Sequence, residues 1–457
     1  MESFIIFIII IGVFSLFFIS KKSDIRGFYS GLMEGNKEPS LLAMIFSLVT
    51  TWIFSRSLLT AAILAYYYGL PGALAYTAYY FSFLTGGYFL VNLRKKYKVK
   101  SLVNFFESEY GFVGKFSFSF IITIRLISEI FANLIVIGLI FGNAGTMEYN
   151  LSIFSIMILS FSYSFLGGLR NSITTDFIQM IIFLFLLITL VIGIFFSNTI
   201  IESNYFFSKI NDLSNPGYAL ILVAFLQIWS YPIHDPVMMD RGFICSTKKT
   251  RKSFFLAFLL SSSCIFTFSL LGLCISPNAL NNITFIEAVK VNFNEYLAYI
   301  IYLLLIVSAV STIDSTLSSA AKLVVFDLAL ISKTILNGRI VMLVFTLLGL
   351  LFIFFDNKDL FTAVAVSGTA ATFLTTSFLL KVVFNISISK VSFVTSFIFS
   401  ISGSIVYFLE SQKINNSFSL IFGLDHKYKT LLFINIIILT ISFCSAFLIK
   451  KKTKQLQ

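Results

Sequence analysis

About thirteen apolar runs punctuate this chain, each reaching or approaching the 17 to 25 residues that a helix needs to cross a hydrocarbon core about 30 Å thick. Lipid offers backbone amides no hydrogen bonds, so runs of this kind have to satisfy themselves as helices. The expected spans lie near 2–19, 41–67, 71–93, 113–141, 152–168, 176–197, 217–237, 254–273, 296–329, 340–355, 360–381, 390–409 and 430–449. Only Gly69-Leu70-Pro71-Gly72, a turn signal, separates the second from the third. Charge agrees with hydropathy: 12% of the 457 residues are charged and 58% are hydrophobic, whereas soluble domains carry about 25% charge. A soluble enzyme and a disordered chain are both excluded. The expectation is an all-α polytopic membrane protein.

A net charge of +12 in a soluble protein would point to nucleic acid. Here the basic residues sit in short loops beside the spans: Lys21, Lys22 and Arg26; Arg94 to Lys100; Arg170; Lys248 to Lys252; Lys333 and Arg339; Lys381 and Lys390; Lys450 to Lys454. All fall on one side if the spans alternate, which predicts an external N-terminus, a cytoplasmic C-terminus and residence in the cell membrane. The loop with Lys413, His426, Lys427 and Lys429 is the exception and lands outside. The first span looks like a signal peptide, but its lysines follow the apolar run and no small-residue cleavage pattern precedes them, so a retained anchor helix is expected. Four scattered cysteines make neither a metal nor a redox pattern. The partners expected are the lipid bilayer and a small polar solute, with no nucleic acid, in a monomer or weak homo-oligomer. No loop is long enough for a separate domain, so any activity belongs within the bundle.

Polar groups inside apolar spans are expensive and commonly face a cavity, a partner or an ion path. The second span reads Thr50-Thr51-Trp52-Ile53-Phe54-Ser55-Arg56-Ser57. A break in that helix would free carbonyls for a cation, and Arg56 needs a partner at that depth; interhelical glue by small polar residues is the structural alternative. Arg125 and Glu129 stand one turn apart in the fourth span, where each can neutralise the other. In Trp229-Ser230-Tyr231-Pro232-Ile233-His234-Asp235-Pro236 two prolines interrupt the helical bonding, leaving either exposed carbonyls beside aromatic and polar handles or a simple kink with Asp240 and Arg241 solvated beyond it. The ninth span carries Ser308, Ser311, Thr312 and Asp314. Its hydroxyls and a carbonyl one turn earlier are hard oxygen ligands for a small cation, although small residues also permit close helix contact. Gly167-Gly168 predicts a reversal, followed by a helix that Thr175 or Asp176 can cap.

Taken together, Gly167-Gly168-Leu169-Arg170 through Asp176 and Gln179, Arg125 to Gly142, and Ser311-Thr312-Ile313-Asp314-Ser315 through Asp327 resemble the sodium/solute symporter family, and Ala65-Tyr66-Tyr67-Tyr68-Gly69 is similar to its urea-type members. The resemblance runs over nearly the whole chain. It implies an inverted repeat of about five plus five helices, the leucine-transporter-like fold, with broken helices at the site. On that basis residues 1–35 would be an N-terminal helix and loop, 36–385 the transport core, and 386–457 two further helices and a tail. Family membership implies sodium at the carbonyls of Thr50, Ile53 and Ser308 and the hydroxyls of Ser311 and Thr312, with Asp176 on the ion-release path. Trp52, Arg56, Glu129, Trp229 and His234 are the candidate solute contacts.

The expected function is sodium-coupled import of a small polar organic solute, without enzymatic catalysis and without an organic cofactor. Proton coupling through His234, Asp235 or Asp314 is the rival within transport. A channel, a membrane enzyme and a non-transporting solute sensor are the others.

Overall fold

The computed structural model describes residues 24–197, 209–275, 283–351 and 360–449. The expected first span, 2–19, and the lysine-rich tail lie outside the described residues. In chain order the helices are α1 (Ile25–Ser30), α2 (Leu41–Thr50), α3 (Ser55–Tyr68), α4 (Leu70–Ala78), α5 (Ser82–Lys96), α6 (Leu102–Tyr110), α7 (Phe112–Phe141), α8 (Met147–Phe196), α9 (Pro216–Gln227) and α10 (Pro236–Ile244). They continue as α11 (Thr247–Ser269), α12 (Phe285–Asn292), α13 (Glu295–Lys322), α14 (Ile335–Leu351), α15 (Leu360–Ala370), α16 (Phe373–Phe378), α17 (Lys390–Ser411), α18 (Ser417–Ile421) and α19 (Lys427–Leu448). By length and composition six described helices suit a bilayer crossing, or seven when α2 and α3, bent by 59°, count as one span.

Local chemistry sets many of these boundaries. Ser40 Oγ accepts the Ala43 amide at the start of α2, and Thr284 with Glu287 closes a reciprocal cap on α12, each satisfying amides that have no intrahelical acceptor. Pro216 and Pro236 open α9 and α10, where a missing N–H costs nothing. Gly69, at φ 65°, turns the chain directly from α3 into α4, as the Gly-Leu-Pro-Gly signal implied.

Two departures from the expected spans matter for the site. The reversal at Gly167-Gly168 is tighter than a loop: within the 50 residues of α8 two helices meet at Gly168 alone, at φ 57° and ψ −141°. A straight helix of that length would extend about 75 Å at 1.5 Å per residue, far beyond a bilayer core, so the single left-handed residue does the work assigned to a loop. Thr175 and Asp176 consequently sit inside the helix, and neither caps it. The seventh span is also not continuous. Helix α9 stops at Gln227, the chain unwinds, and α10 begins at Pro236.

Helix α13 is the central post. The most apolar window of Glu295–Asp327 is 83% buried inside the protein, against 33% for Met147–Phe196, whose outer face is left for lipid. It packs most extensively on α8, and also touches α2, α3, α7 and α10. Both helix breaks therefore face the same central helix.

Candidate solute and cation site

Trp52 and Asp235 join the two breaks. Helix α2 ends at Thr50 and α3 starts at Ser55, so residues 51–54 are unwound, and the Trp52 indole N–H donates to Asp235 Oδ2 at 3.1 Å. Asp235 also caps α10 by accepting the Met238 amide at 3.0 Å. Other side chains take over the carbonyls and amides that the breaks release, as burial requires. The Tyr80 hydroxyl donates to the Trp52 carbonyl at 2.9 Å, and Thr85 donates to the Ile228 carbonyl at 2.5 Å. At the start of α3, Asn133 Oδ1 accepts from Ser55 Oγ at 2.8 Å.

Four buried charges alternate in sign around this joint. Arg56 donates to Glu129 Oε1 at 2.7 Å; the same oxygen meets Arg125, one turn earlier on α7; and Arg125 reaches Asp235 Oδ2 at 3.1 Å. All four side chains are no more than 2% exposed. Their charges cancel, which offsets the cost of taking each out of water. The network is not saturated: Arg56 Nε and Nη1 and Glu129 Oε2 have no hydrogen-bond partner among the described residues. Phe54 and Tyr231 lie under the guanidinium of Arg125 at 5.5 Å and 5.2 Å, and Tyr231 meets Trp52 edge to face at 5.6 Å. Unengaged donors, one unengaged acceptor and aromatic walls form a setting suited to a small polar molecule.

Below the first break lies a cluster of oxygens. Ser311 donates to Asp176 Oδ1 at 2.6 Å, and Thr312 donates to the Ser308 carbonyl at 2.8 Å. Each hydroxyl has thus placed its proton away and keeps lone pairs for a cation. Asp176 Oδ2 accepts from Ser47 on α2 at 2.5 Å and from Arg241 on α10 at 2.9 Å. One carboxylate on α8 therefore binds α13 and one half of each broken helix, α2 and α10.

The structure brings Trp52, Arg56 and Glu129 together, and sets His234 beside them through Tyr231, whose ring lies 4.8 Å away. Trp229 instead packs on Phe89 at 6.2 Å, so its neighbour Tyr231 supplies the ring that faces the charges. Thr50 is the last residue of α2 and Ile53 lies within the unwound segment that follows it, while Ser308, Ser311 and Thr312 are buried on α13. Arg241 decides against the simple kink with solvated charges: it is fully buried, and Asp240 is only 6% exposed. A sequence signal exists, since Arg241 lies on the face one turn after Val237, to whose carbonyl it donates at 2.9 Å, but its partners are 65 and 194 residues distant. Tyr231 is among the aromatic handles of its segment, whereas Asn133 and Tyr80 escape sequence reasoning for the same reason.

No protein-family model matches this chain, and no curated protein does. Solved structures do. The chain is similar to a substrate-bound, outward-open Na+-coupled sialic acid symporter at 15% identity, over 96% of each chain, with a TM-score of 0.67. It is also similar to MhsT in complex with L-phenylalanine, again at 15% identity, over 90% of this chain and 99% of that one, with a TM-score of 0.55. Identity at this level speaks to fold. The chain is an all-helical polytopic membrane protein with the leucine-transporter-like fold.

Proposed function

We propose that the protein is a secondary transporter that imports a small polar organic solute with sodium by alternating access. Sodium would lie between the carbonyls of Thr50, Ile53 and Ser308 and the hydroxyls of Ser311 and Thr312, with Asp176 on its route to the cytoplasm. The solute would sit above it among Trp52, Arg56, Glu129, His234 and Tyr231. Because Glu129 and Asp235 match the two guanidinium charges, the pocket does not select an anion by charge alone. Helices broken at corresponding places in two halves of a chain supply free carbonyls and helix ends at mid-membrane, and the neighbours of this fold include a Na+-coupled symporter. Each sodium ion moving inward gains about 2.3 kcal/mol per 100 mV of membrane potential, enough to drive accumulation before the concentration gradient is counted.

The observation that carries this proposal is the donation of the Ser311 and Thr312 hydroxyl protons to Asp176 and Ser308, which leaves two oxygens, adjacent in sequence, as acceptors. Equilibrium binding of radioactive sodium to purified protein tests it, with potassium as the competing ion. Saturable sodium-selective binding is expected, and S311A/T312A abolishes it. Absence of such binding in monodisperse wild-type protein removes sodium coupling and puts proton coupling in its place.

A further inference from the structure

Helix α19 is apolar enough to suit a bilayer crossing, yet Asn435 near its middle is 0% exposed and its amide is engaged at both ends. Nδ2 donates to the Leu431 carbonyl at 2.8 Å and to Thr369 Oγ1 at 3.3 Å. Oδ1 accepts from Gln227 Nε2 at 3.2 Å and from Thr372 Oγ1 at 3.0 Å. A buried amide needs partners, and mere glue between membrane helices would accept any of them. These partners all stand where helices are interrupted. Gln227 is the last residue of α9, where the second break begins. Thr369 and Thr372 straddle the joint between α15 and α16, where the bonding tightens by one residue: the Thr372 amide donates to the Thr369 carbonyl at 3.1 Å and the Leu374 amide to the Ala371 carbonyl at 3.0 Å. A tightened stretch inside a helix commonly marks a hinge. A Cβ added at Gly368 would meet Gln227 Oε1 at 2.6 Å, so this joint lies directly on the end of α9.

Gln227 passes the constraint on. Its side chain is held by Asn435, by Thr369 Oγ1 at 3.4 Å and by the Tyr79 hydroxyl, which donates to Oε1 at 2.9 Å. Its carbonyl accepts the Ser230 amide at 3.0 Å and the Tyr231 amide at 2.8 Å, closing the turn that carries Tyr231. The Tyr231 ring meets Tyr79 at 5.5 Å and Trp52 at 5.6 Å. We propose that Asn435 is a positioning residue for the solute site: by fixing Gln227 against the joint of α15 and α16, it sets the turn that holds Tyr231 on Trp52. Among the described residues no hydrogen bond joins Asn435 to Trp52 or Tyr231, so its effect runs through Gln227. Helix α19 lies beyond the stretch 36–385 expected as the transport core, and it thereby supports the site from outside. The solute role of Trp52 and Tyr231 rests on the proposed transport function; the coupling of Asn435 to them does not.

Trp52 and Trp229 are the two tryptophans of the chain, so in W229F the tryptophan fluorescence of the purified full-length protein reports Trp52 alone, a residue 3% exposed. In that background N435L is expected to shift the Trp52 emission to longer wavelength and to raise its quenching by acrylamide. Q227L is expected to do the same, and N435L/Q227L to add nothing to either, because residues that act through one another are not additive. T369V/T372V leaves both amides in place and should shift the emission in the same direction; it decides the matter if N435L is not monodisperse. S445A is the control for glue alone. It breaks the 2.9 Å bond between Ser392 and Ser445 that joins α17 to α19, and it should leave the Trp52 emission unchanged. Wild-type emission in monodisperse N435L or T369V/T372V would overturn the inference, as would additive shifts in N435L/Q227L or a shift in S445A equal to that in N435L. Wild type that binds no sodium would end the proposal of sodium symport and leave the Trp52 comparison standing.

Discussion

Glu129 holds two arginines with one oxygen, taking Arg56 at 2.7 Å and also Arg125. Asp235 reaches Arg125 but no described contact joins it to Arg56, so the two acids are not interchangeable. E129Q leaves Arg56 as a buried charge without a counter-charge, and breaking a buried pair from one side typically costs about 3–5 kcal/mol. The expected outcome is a large fall in the unfolding midpoint in detergent, by heat or by denaturant, while the double variant R56M/E129M, which removes both charges together, loses much less. Equal midpoints for E129Q and wild type would mean that water or a distant group already neutralises Arg56. Part of this network is legible in the sequence. The spacing of Arg125 and Glu129 on one helix face announces their pairing, because helical periodicity is a local rule. Arg56 with Glu129 is not local: the two are 73 residues apart, and only the folded bundle brings them together. The burial of Arg241 is not legible in the sequence, because basic residues near a span end ordinarily mark the cytoplasmic loop and its partners lie 65 and 194 residues away.

Helix breaks obey a similar division between what neighbours in sequence decide and what packing decides. The prolines at 232 and 236 forbid regular bonding, and the chain is unwound between Gln227 and Pro236 as they require. Hydroxyls and an arginine in the second span signal the first break more weakly, since residues 51–54 contain neither glycine nor proline; there Tyr80 and Asn133 from other helices hold the unwound segment open. Gly168 shows both influences. Its φ of +57° favours glycine, and a Cβ added there would meet the Phe28 carbonyl oxygen at 2.4 Å and the Phe28 ring at 2.8 Å. Helix α1 is thereby pressed against the bend, where Arg170 holds Asp24 and the Tyr29 hydroxyl donates to the Thr334 carbonyl at 2.6 Å. Substituting alanine at Gly168 adds the strain of a backbone region open essentially to glycine, about 1–3 kcal/mol, to a clash with backbone that cannot rotate away. Gly145 is the internal control: its φ is +90°, and a Cβ added there would meet nothing within 4 Å. Thermal unfolding should therefore place G168A well below G145A, and coincident curves would show that α1 does not press on the bend. The expectation of a glycine-dependent turn survives in altered form, with one residue replacing a loop.

Across the whole molecule, one corner connects the far ends of both broken spans to the C-terminal helix. The Tyr68 hydroxyl, at the end of α3, lies 3.2 Å from His426 Nε2, and the Tyr68 carbonyl accepts from Asn215, the capping residue of α9, at 2.9 Å. His426 in turn caps α19: its Nδ1 accepts the Tyr428 amide at 3.1 Å. That bond fixes the tautomer, since an accepting Nδ1 leaves the proton on Nε2, facing Tyr68. Protonation of the ring would turn Nδ1 into a donor aimed at another donor and end the cap. Burial, with Lys427 beside it, pushes the His426 pKa from 6.5 down to about 4. A base held neutral in the fold binds fewer protons there than when unfolded, so stability rises with pH through this interval. The contribution is complete above pH 6.5 and is lost as pH falls toward about 4. Unfolding midpoints measured across that range should decline in wild type more steeply than in H426N, because asparagine also caps a helix N-terminus but does not titrate. Parallel declines would place the acid sensitivity in the carboxylates and leave the connection between Tyr68 and α19 insensitive to charge. A steeper wild-type decline would show that α19 is coupled to the far end of α3 through Tyr68 and His426, a link that no single stretch of the sequence contains.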